Sequence, residues 1–213
     1  MPRYKITIEY DGTNYAGWQQ QKDAPSIQEE LQQAAFKFLA EDVLITGAGR
    51  TDAGVHALGQ VAHFDTAKTL DPFRICQAFN AHLRPQPISV LNAEIVSDDF
   101  HARFDAKKRF YVYKILNRRS RPALNINRAW WVHQPLDIER MQDAAQVLIG
   151  KHDFSTFRAA ACQAKSPIKT LDEIRIERYG DLIFFYFSAR SFLHHQVRNI
   201  VGTLKLVGEG VWT

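Results

Sequence analysis

The sequence predicts an α+β chain built as two ferredoxin-like βαββαβ halves that share an extended antiparallel sheet, the second half lacking its final strand. Three observations carry this. Several segments alternate apolar and polar residues with a period of two, and others space their apolar residues as one face of a helix. In sequence these segments run β-α-β-β-α-β and then β-α-β-β-α.

The elements are justified in order. "YKITIEY" puts Tyr4, Ile6, Ile8 and Tyr10 on one face and Lys5, Thr7 and Glu9 on the other, the pattern of a half-buried strand. "SIQEELQQAAFKFLA" opens with a capping box, Ser26 to Glu29, and carries Ile27, Leu31, Ala34, Ala35, Phe38 and Leu39 at helical spacing. "VLITGAG" and "QVAHFDT" read as strands on either side of a glycine-rich loop. "DPFRICQAFNAHL" is a helix with Asp71 as cap and Pro72 at its first position, and "PISVLNAEIV" returns as a strand. In the second half "RFYVYKIL" is a strand, and "DIERMQDAAQVLIG" is a helix with Met141, Ala144, Ala145 and Leu148 on one stripe. "IKTLDEIRIERYG" and "LIFFYFSAR" form a hairpin about Tyr179-Gly180-Asp181. "FLHHQVRNIVGTLKLVG" closes the order as a helix with Leu193, Val197, Ile200, Val201 and Leu204 inward. No sequence repeat accompanies the repeated order. The polar stretch "SDDFHARFDA" divides an N-terminal half, residues 1–104, from a C-terminal half, residues 105–213, that reads as truncated.

Composition bounds the function. Of 213 residues, 46% are hydrophobic and 23% charged, ordinary globular values. The two cysteines, Cys76 and Cys162, are far apart, which argues against a disulfide scaffold or zinc knuckle and fits a reducing cytosol. No apolar signal core or membrane-length run occurs, so a cytoplasmic protein without a membrane partner is expected. The net charge of +4 is modest, but "KKRFYVYKILNRRSR" concentrates seven cations with no acid and with aromatics between them. Such a stretch suits a polyanion; its plainer reading is a strand edge kept basic against aggregation.

Several chemistries fall away. "GAGRTDAG" lacks the full dinucleotide-binding glycine pattern and a following helix. His194 and His195 are sequence neighbours, poor joint metal ligands on a helix and better read as a hydrogen-bonding pair at its start. No G-x-S-x-G is present, and a glycosidase would need two opposed carboxylates, which Glu41, Asp42 and Asp65 do not supply in any motif. What remains is Asp52 in "GAGRTDAGVHALGQVAHF", Tyr111, Arg198 and the basic surface. An isolated T-D-A-G is ordinarily an Asx-turn. An aspartate in water is ionised at neutral pH, however, and can act as a nucleophile without activation. Its charge in a closed site needs a cation, and Arg50 or Arg198 could serve. Tyr111 and Tyr113 share a strand face, where packing is the ordinary role; with Phe110 they could instead stack on bases.

Taken with "DDFHARF", "RFYVYKI", "DFSTFR" and "SFLHHQVRNIVGTL", the glycine-rich motif closely resembles the tRNA pseudouridine synthase A family, from "YDGTNYAGWQ" to about Gly208. The resemblance implies isomerisation of uridine to pseudouridine in tRNA, in the anticodon stem-loop at positions thirty-eight to forty, with neither metal nor organic cofactor. It assigns Asp52 as nucleophile, Tyr111 as the ring over the target base and a possible proton-transfer hydroxyl, and Arg198 as the partner of the carboxylate. Arg50 would hold the space of the flipped base. Phe100, His101, Ala102, Arg103 and Phe104, with Arg119, Gln163 and Lys165, would touch tRNA. A homodimer is implied as well. Family members usually continue about forty residues further, through a helix and a strand, which matches the sixth element absent here. The competing reading is a non-catalytic RNA-binding module, because the same element order with strand aromatics also describes an RNA-recognition domain. "KRFYVYKI" lacks the glycine of that module's aromatic strand.

Overall fold

The computed structural model describes Met1–Thr213. It resolves into two compact units, Met1–Ala106 and Lys107–Thr213. The α+β class read from the element order holds, and the strands hydrogen-bond as two sheets, one of four strands and one of five.

Unit one contains β1 (Arg3–Tyr10), α1 (Ile27–Leu39), β2 (Thr46–Gly47), β3 (Ala57–Asp65), α2 (Pro72–Leu83) and β4 (Ile88–Val96). The sheet order is β2-β3-β1-β4, antiparallel throughout, which is the ferredoxin-like arrangement. Tyr4, Ile6, Ile8 and Tyr10 of β1 are buried in one cluster with Ile27, Leu31, Ala35 and Leu39 of α1 and Ile75, Phe79 and Leu83 of α2. Each large side chain so removed from water contributes about 1.5–3 kcal/mol. The opposite face of β1 carries Arg3, Lys5 and Thr7, which are half-buried. Both helix starts form as expected: Ser26 Oγ accepts from the Glu29 N–H, and Asp71 accepts from the Phe73 and Arg74 N–H groups.

One expected strand is much shorter. "VLITGAG" pairs with β3 only at Thr46 and Gly47. The outer edge at this point is covered by α1: Gln28 Nε2 donates to the Ile45 carbonyl at 2.8 Å, and the Ile45 N–H donates to Gln32 Oε1 at 3.3 Å. Helix side chains thus satisfy backbone groups that the edge strand would otherwise leave unpaired.

Unit two contains β5 (Arg109–Asn117), β6 (Trp130–Val132), α3 (Ile138–Gln146), β7 (Gly150–Asp153), a 3-10 turn (Ser155–Phe157), β8 (Ile168–Tyr179), β9 (Leu182–Ala189) and α4 (Gln196–Gly208). Its order is β6-β5-β9-β8-β7, with β5–β6 parallel and the other pairs antiparallel. The β8–β9 hairpin forms as read, while β6 and β7 were not anticipated. Ile115, Phe185, Phe187, Ile174 and Ile183 are buried with Met141 and Ala145 of α3 and Ile200, Val201 and Leu204 of α4. α4 starts later than "FLHH" suggested. His195 has φ 61°, in the left-handed region, so the helical run begins at Gln196. His194 and His195 therefore precede the helix, with ring centroids 4.0 Å apart, and the side chain of His195 makes no cap hydrogen bond. No helix is long and apolar enough to cross a membrane.

Candidate active site

In unit one the motif loop is held by backbone contacts that reach back to "YDGTNYAGW". The Trp18 N–H donates to the Thr51 carbonyl at 3.0 Å, and the Gly54 N–H donates to the Tyr15 carbonyl at 3.2 Å. Tyr10 Oη and Thr51 Oγ1 share a hydrogen bond of 2.8 Å. At Gly17, φ is +108° and a Cβ would lie 2.4 Å from the Thr51 carbonyl oxygen, so the two stretches of backbone touch only because that residue is glycine. Across the loop the Val55 N–H closes a turn onto the Asp52 carbonyl at 3.1 Å. Gln60 Nε2 secures the loop's other limb by donating to the Gly49 carbonyl at 2.7 Å. Asp52 is half-buried on this frame and Arg50 is exposed.

His56 lies at the end of the loop. Its Nδ1 is 3.0 Å from the Gly12 N–H and 3.0 Å from an Asp11 carboxylate oxygen. One nitrogen cannot accept from the first and donate to the second at once. The Gly12 N–H is a fixed donor, so Nδ1 accepts from Gly12 and the ring lies against the Asp11 carboxylate.

The second loop of interest in unit one is residues 100–105. Arg3 Nη1 donates to the Phe100 carbonyl at 2.8 Å, and the Ala102 N–H donates to His63 Nδ1 at 3.2 Å. Ala102 is buried and Phe100 and His101 are half-buried, whereas Arg103 and Phe104 face solvent. The outward part of the five-residue motif is therefore Arg103–Phe104.

In unit two Tyr111 and Tyr113 lie on the core side of β5, while Phe110 and Val112 face out. The Tyr111 ring meets Phe192 edge-on at 5.0 Å, and Tyr113 meets Trp130 edge-on at 6.5 Å. Burial raises the Tyr113 phenol above its ordinary range, and the nearby Arg198 guanidinium opposes that rise. Arg198 itself is an exposed residue in the first turn of α4. Gln196, almost fully buried, fixes that turn by accepting the Leu193 N–H at 2.8 Å. The segment bearing Gln163 and Lys165 is tied to the same helix start: the Ala159 N–H donates to the His194 carbonyl, and Asn199 Nδ2 donates to the Phe157 carbonyl, each at 3.0 Å. Unit two thus brings Tyr111, Arg198 and the approach to Gln163 and Lys165 toward the start of α4. It does not bring Arg119 there. That residue lies beyond the far end of β5, about 20 Å of strand from Tyr111.

Comparison with known proteins decides what this loop, strand and helix belong to. A family model described as tRNA pseudouridine synthase matches residues 6–105 and 144–213. The chain belongs to the tRNA pseudouridine synthase family. It is 62% identical over 213 residues to the tRNA pseudouridine synthase A of Rhodopseudomonas palustris, an alignment spanning 100% of this chain and 87% of that protein. It is 59% identical to the tRNA pseudouridine synthase A of Xanthobacter autotrophicus with the same coverage, and 56% identical to that of Rhodospirillum rubrum, of which it spans 77%. Membership in this synthase family makes the chain an isomerase rather than a passive binding module.

The part that Tyr10, Gly17 and Trp18 play in framing this synthase's motif loop escaped the sequence reading. A signal for it was present. "YDGTNYAGW" breaks the strand alternation with two glycines and a cluster of aromatics, too irregular for a plain connection.

Proposed function

We propose that this synthase converts uridine to pseudouridine in the anticodon stem-loop of tRNA, at positions thirty-eight to forty, with Asp52 as the nucleophile. The reaction is an isomerisation. The N1–C1′ bond breaks, the uracil turns, a C5–C1′ bond forms, C5 loses its proton and N1 gains one. A carboxylate can hold the sugar or the base covalently while the ring turns, or assist elimination to a glycal. The observation that carries the reading is the frame around Asp52, a loop clamped by Trp18, Tyr10 and the bare backbone of Gly17. A nucleophile must be held where it can attack, and a plain turn needs no such clamp.

Tyr111 is the ring that covers the target base, and Arg198 supplies the cation that balances the charge of the reaction. Arg50 fills the space of the extruded nucleotide. Extrusion costs a few kcal/mol, which contacts from Arg103, Phe104, Gln163, Lys165 and Arg119 offset. The homodimer and the cytoplasmic setting expected from the resemblance belong to the same proposal, and light scattering of the purified chain checks the first.

The test uses tRNA carrying tritium at C5 of uridine. The chain should release tritium and leave pseudouridine at those positions on mapping. Asp52→Asn should abolish release while still binding the tRNA. Turnover by Asp52→Asn at the wild-type rate would refute the catalytic assignment, and pseudouridine mapped only elsewhere would refute the site on the tRNA.

A further inference from the structure

We propose that His63 is a positioning residue for substrate, holding the 100–105 loop in the one shape that presents Arg103 and Phe104 outward. This rests on the reading above that the loop grips RNA. The observation is a buried side-chain acceptor aimed at the loop's backbone. His63 lies on β3 with 6% of its surface exposed, and its Nδ1 accepts the Ala102 N–H at 3.2 Å. A second anchor stands beside it. Arg3 grips Asp65 through Nε and Nη2 at 2.7 and 2.8 Å and uses its remaining nitrogen, Nη1, on the Phe100 carbonyl. Between these anchors the loop closes on itself: the His101 N–H donates to Asp105 Oδ2 at 2.7 Å, and the Asp105 N–H returns to the His101 carbonyl at 2.9 Å. The His101 ring accepts from the Arg103 N–H at 3.2 Å and stacks at a tilt on Phe104 at 4.3 Å. The loop that carries the outward pair is therefore braced by its own bonds and fixed to the sheet by two, one from Arg3 and one from His63.

The bond from His63 has a condition. Nδ1 accepts only when it carries no proton, so the ring must be neutral with its proton on Nε2. Protonating Nδ1 would turn one donor toward another and release Ala102. The groups that face the ring are Arg3 of β1, Asp65 of β3, and His101 and Asp105 of the loop itself. Lys5 lies opposite it in register on β1, and uncharged Thr46 on β2. Burial first, then Arg3 and His101, hold His63 below the ordinary histidine range against the opposing pull of Asp65 and Asp105. The neutral, loop-holding form therefore persists at neutral pH and is lost only below the ordinary histidine range.

His63→Phe keeps the bulk and removes the acceptor, and His63→Asn places an amide oxygen near the position of Nδ1. Loss of one ordering hydrogen bond should raise the KM for tRNA about 3–10-fold in His63→Phe, with kcat little changed. Hydrogen exchange of the 100–105 peptide should quicken in that variant. His63→Asn should restore both. In the wild type, KM should rise as pH falls through the depressed titration of His63, below the ordinary histidine range, and in His63→Asn it should not; this comparison stands even where His63→Phe fails to fold. Wild-type exchange of the loop in His63→Phe, or a pH-independent wild-type KM, would overturn the anchoring role. Equal loss of kcat in both variants would overturn it as well. If the loop loosens but KM stays put, and Arg103→Ala with Phe104→Ala also leaves KM unchanged, the idea that the loop grips RNA fails, and with it the role of His63 toward substrate.

Discussion

Asp52 owes its place to residues that carry no reactive chemistry. The Thr51 carbonyl is fixed by the Trp18 N–H, and the approach is possible only because Gly17 has no side chain. Gly17 and Gly54 both have positive φ, +108° and +77°, so alanine is strained at either, by about 1–2 kcal/mol at Gly54, which lies near the left-handed helical region. They differ in space. A Cβ at Gly54 meets nothing within 4 Å, whereas one at Gly17 meets backbone at 2.4 Å, which cannot swing aside as a side chain would. Gly17→Ala should therefore lower the urea midpoint well beyond Gly54→Ala and slow single-turnover tritium release, because the loop must shift. Equal midpoints for the two variants would show that the frame is softer than its contacts imply. Taken alone, "GRTDAG" reads as a turn, and it stands out as a candidate site only beside "RFYVYKI" and "FLHHQVRNIVG". The role of Gly17 was not legible, since closeness of two backbones follows from the fold and leaves no local pattern.

Whole elements were legible in proportion to their period. α1, α2, β1, β4 and the β8–β9 hairpin each repeat their pattern over several residues, and capping by Ser26 and Asp71 marked two starts. β6 escaped because three residues, Trp130–Val132, contain no period to read. It is held by tertiary bonds instead. Buried Asn117 donates through Nδ2 to the Val132 carbonyl at 3.0 Å and the Gln134 carbonyl at 2.6 Å, and its Oδ1 accepts from Arg178 at 2.8 Å. Asn117→Ala leaves those carbonyls and one guanidinium bond without their partner, a loss of about 1–3 kcal/mol. The expected result is selective: hydrogen exchange over residues 130–134 speeds up and the emission of Trp130 and Trp131 changes. The ladder between β8 and β9 should keep its protection. Global loss of protection at the same rate everywhere would mean that Asn117 supports the whole sheet rather than β6 alone.

At the scale of the molecule the question is how a net charge of only +4 serves a polyanionic substrate. The basic run at residues 107–121 is less available than its composition suggests. Lys108 pairs with Asp172 at 3.2 Å, and Arg118 pairs with Asp181 at 3.3 Å. Lys108 and Lys114 also lie over the Phe110 and Phe184 rings at 5.9 and 5.6 Å. The acids were invisible in the run itself because β8 and the β8–β9 turn bring them from elsewhere in the sequence. Lys107, Arg119 and Arg121 remain exposed. A cation that neutralises a phosphate releases a counterion, so each such contact adds about 0.7–0.9 to the steepness with which log K falls against log salt. An arginine already paired with a carboxylate has less to release. Binding of tRNA measured from low to high salt should therefore give Arg119→Ala a slope shallower by about one contact than wild type. Arg118→Ala should change it less, and Asp181→Asn, which frees Arg118, should steepen it. Identical slopes for all three variants would place the RNA away from this run and leave Arg103, Phe104 and the start of α4 to carry the substrate.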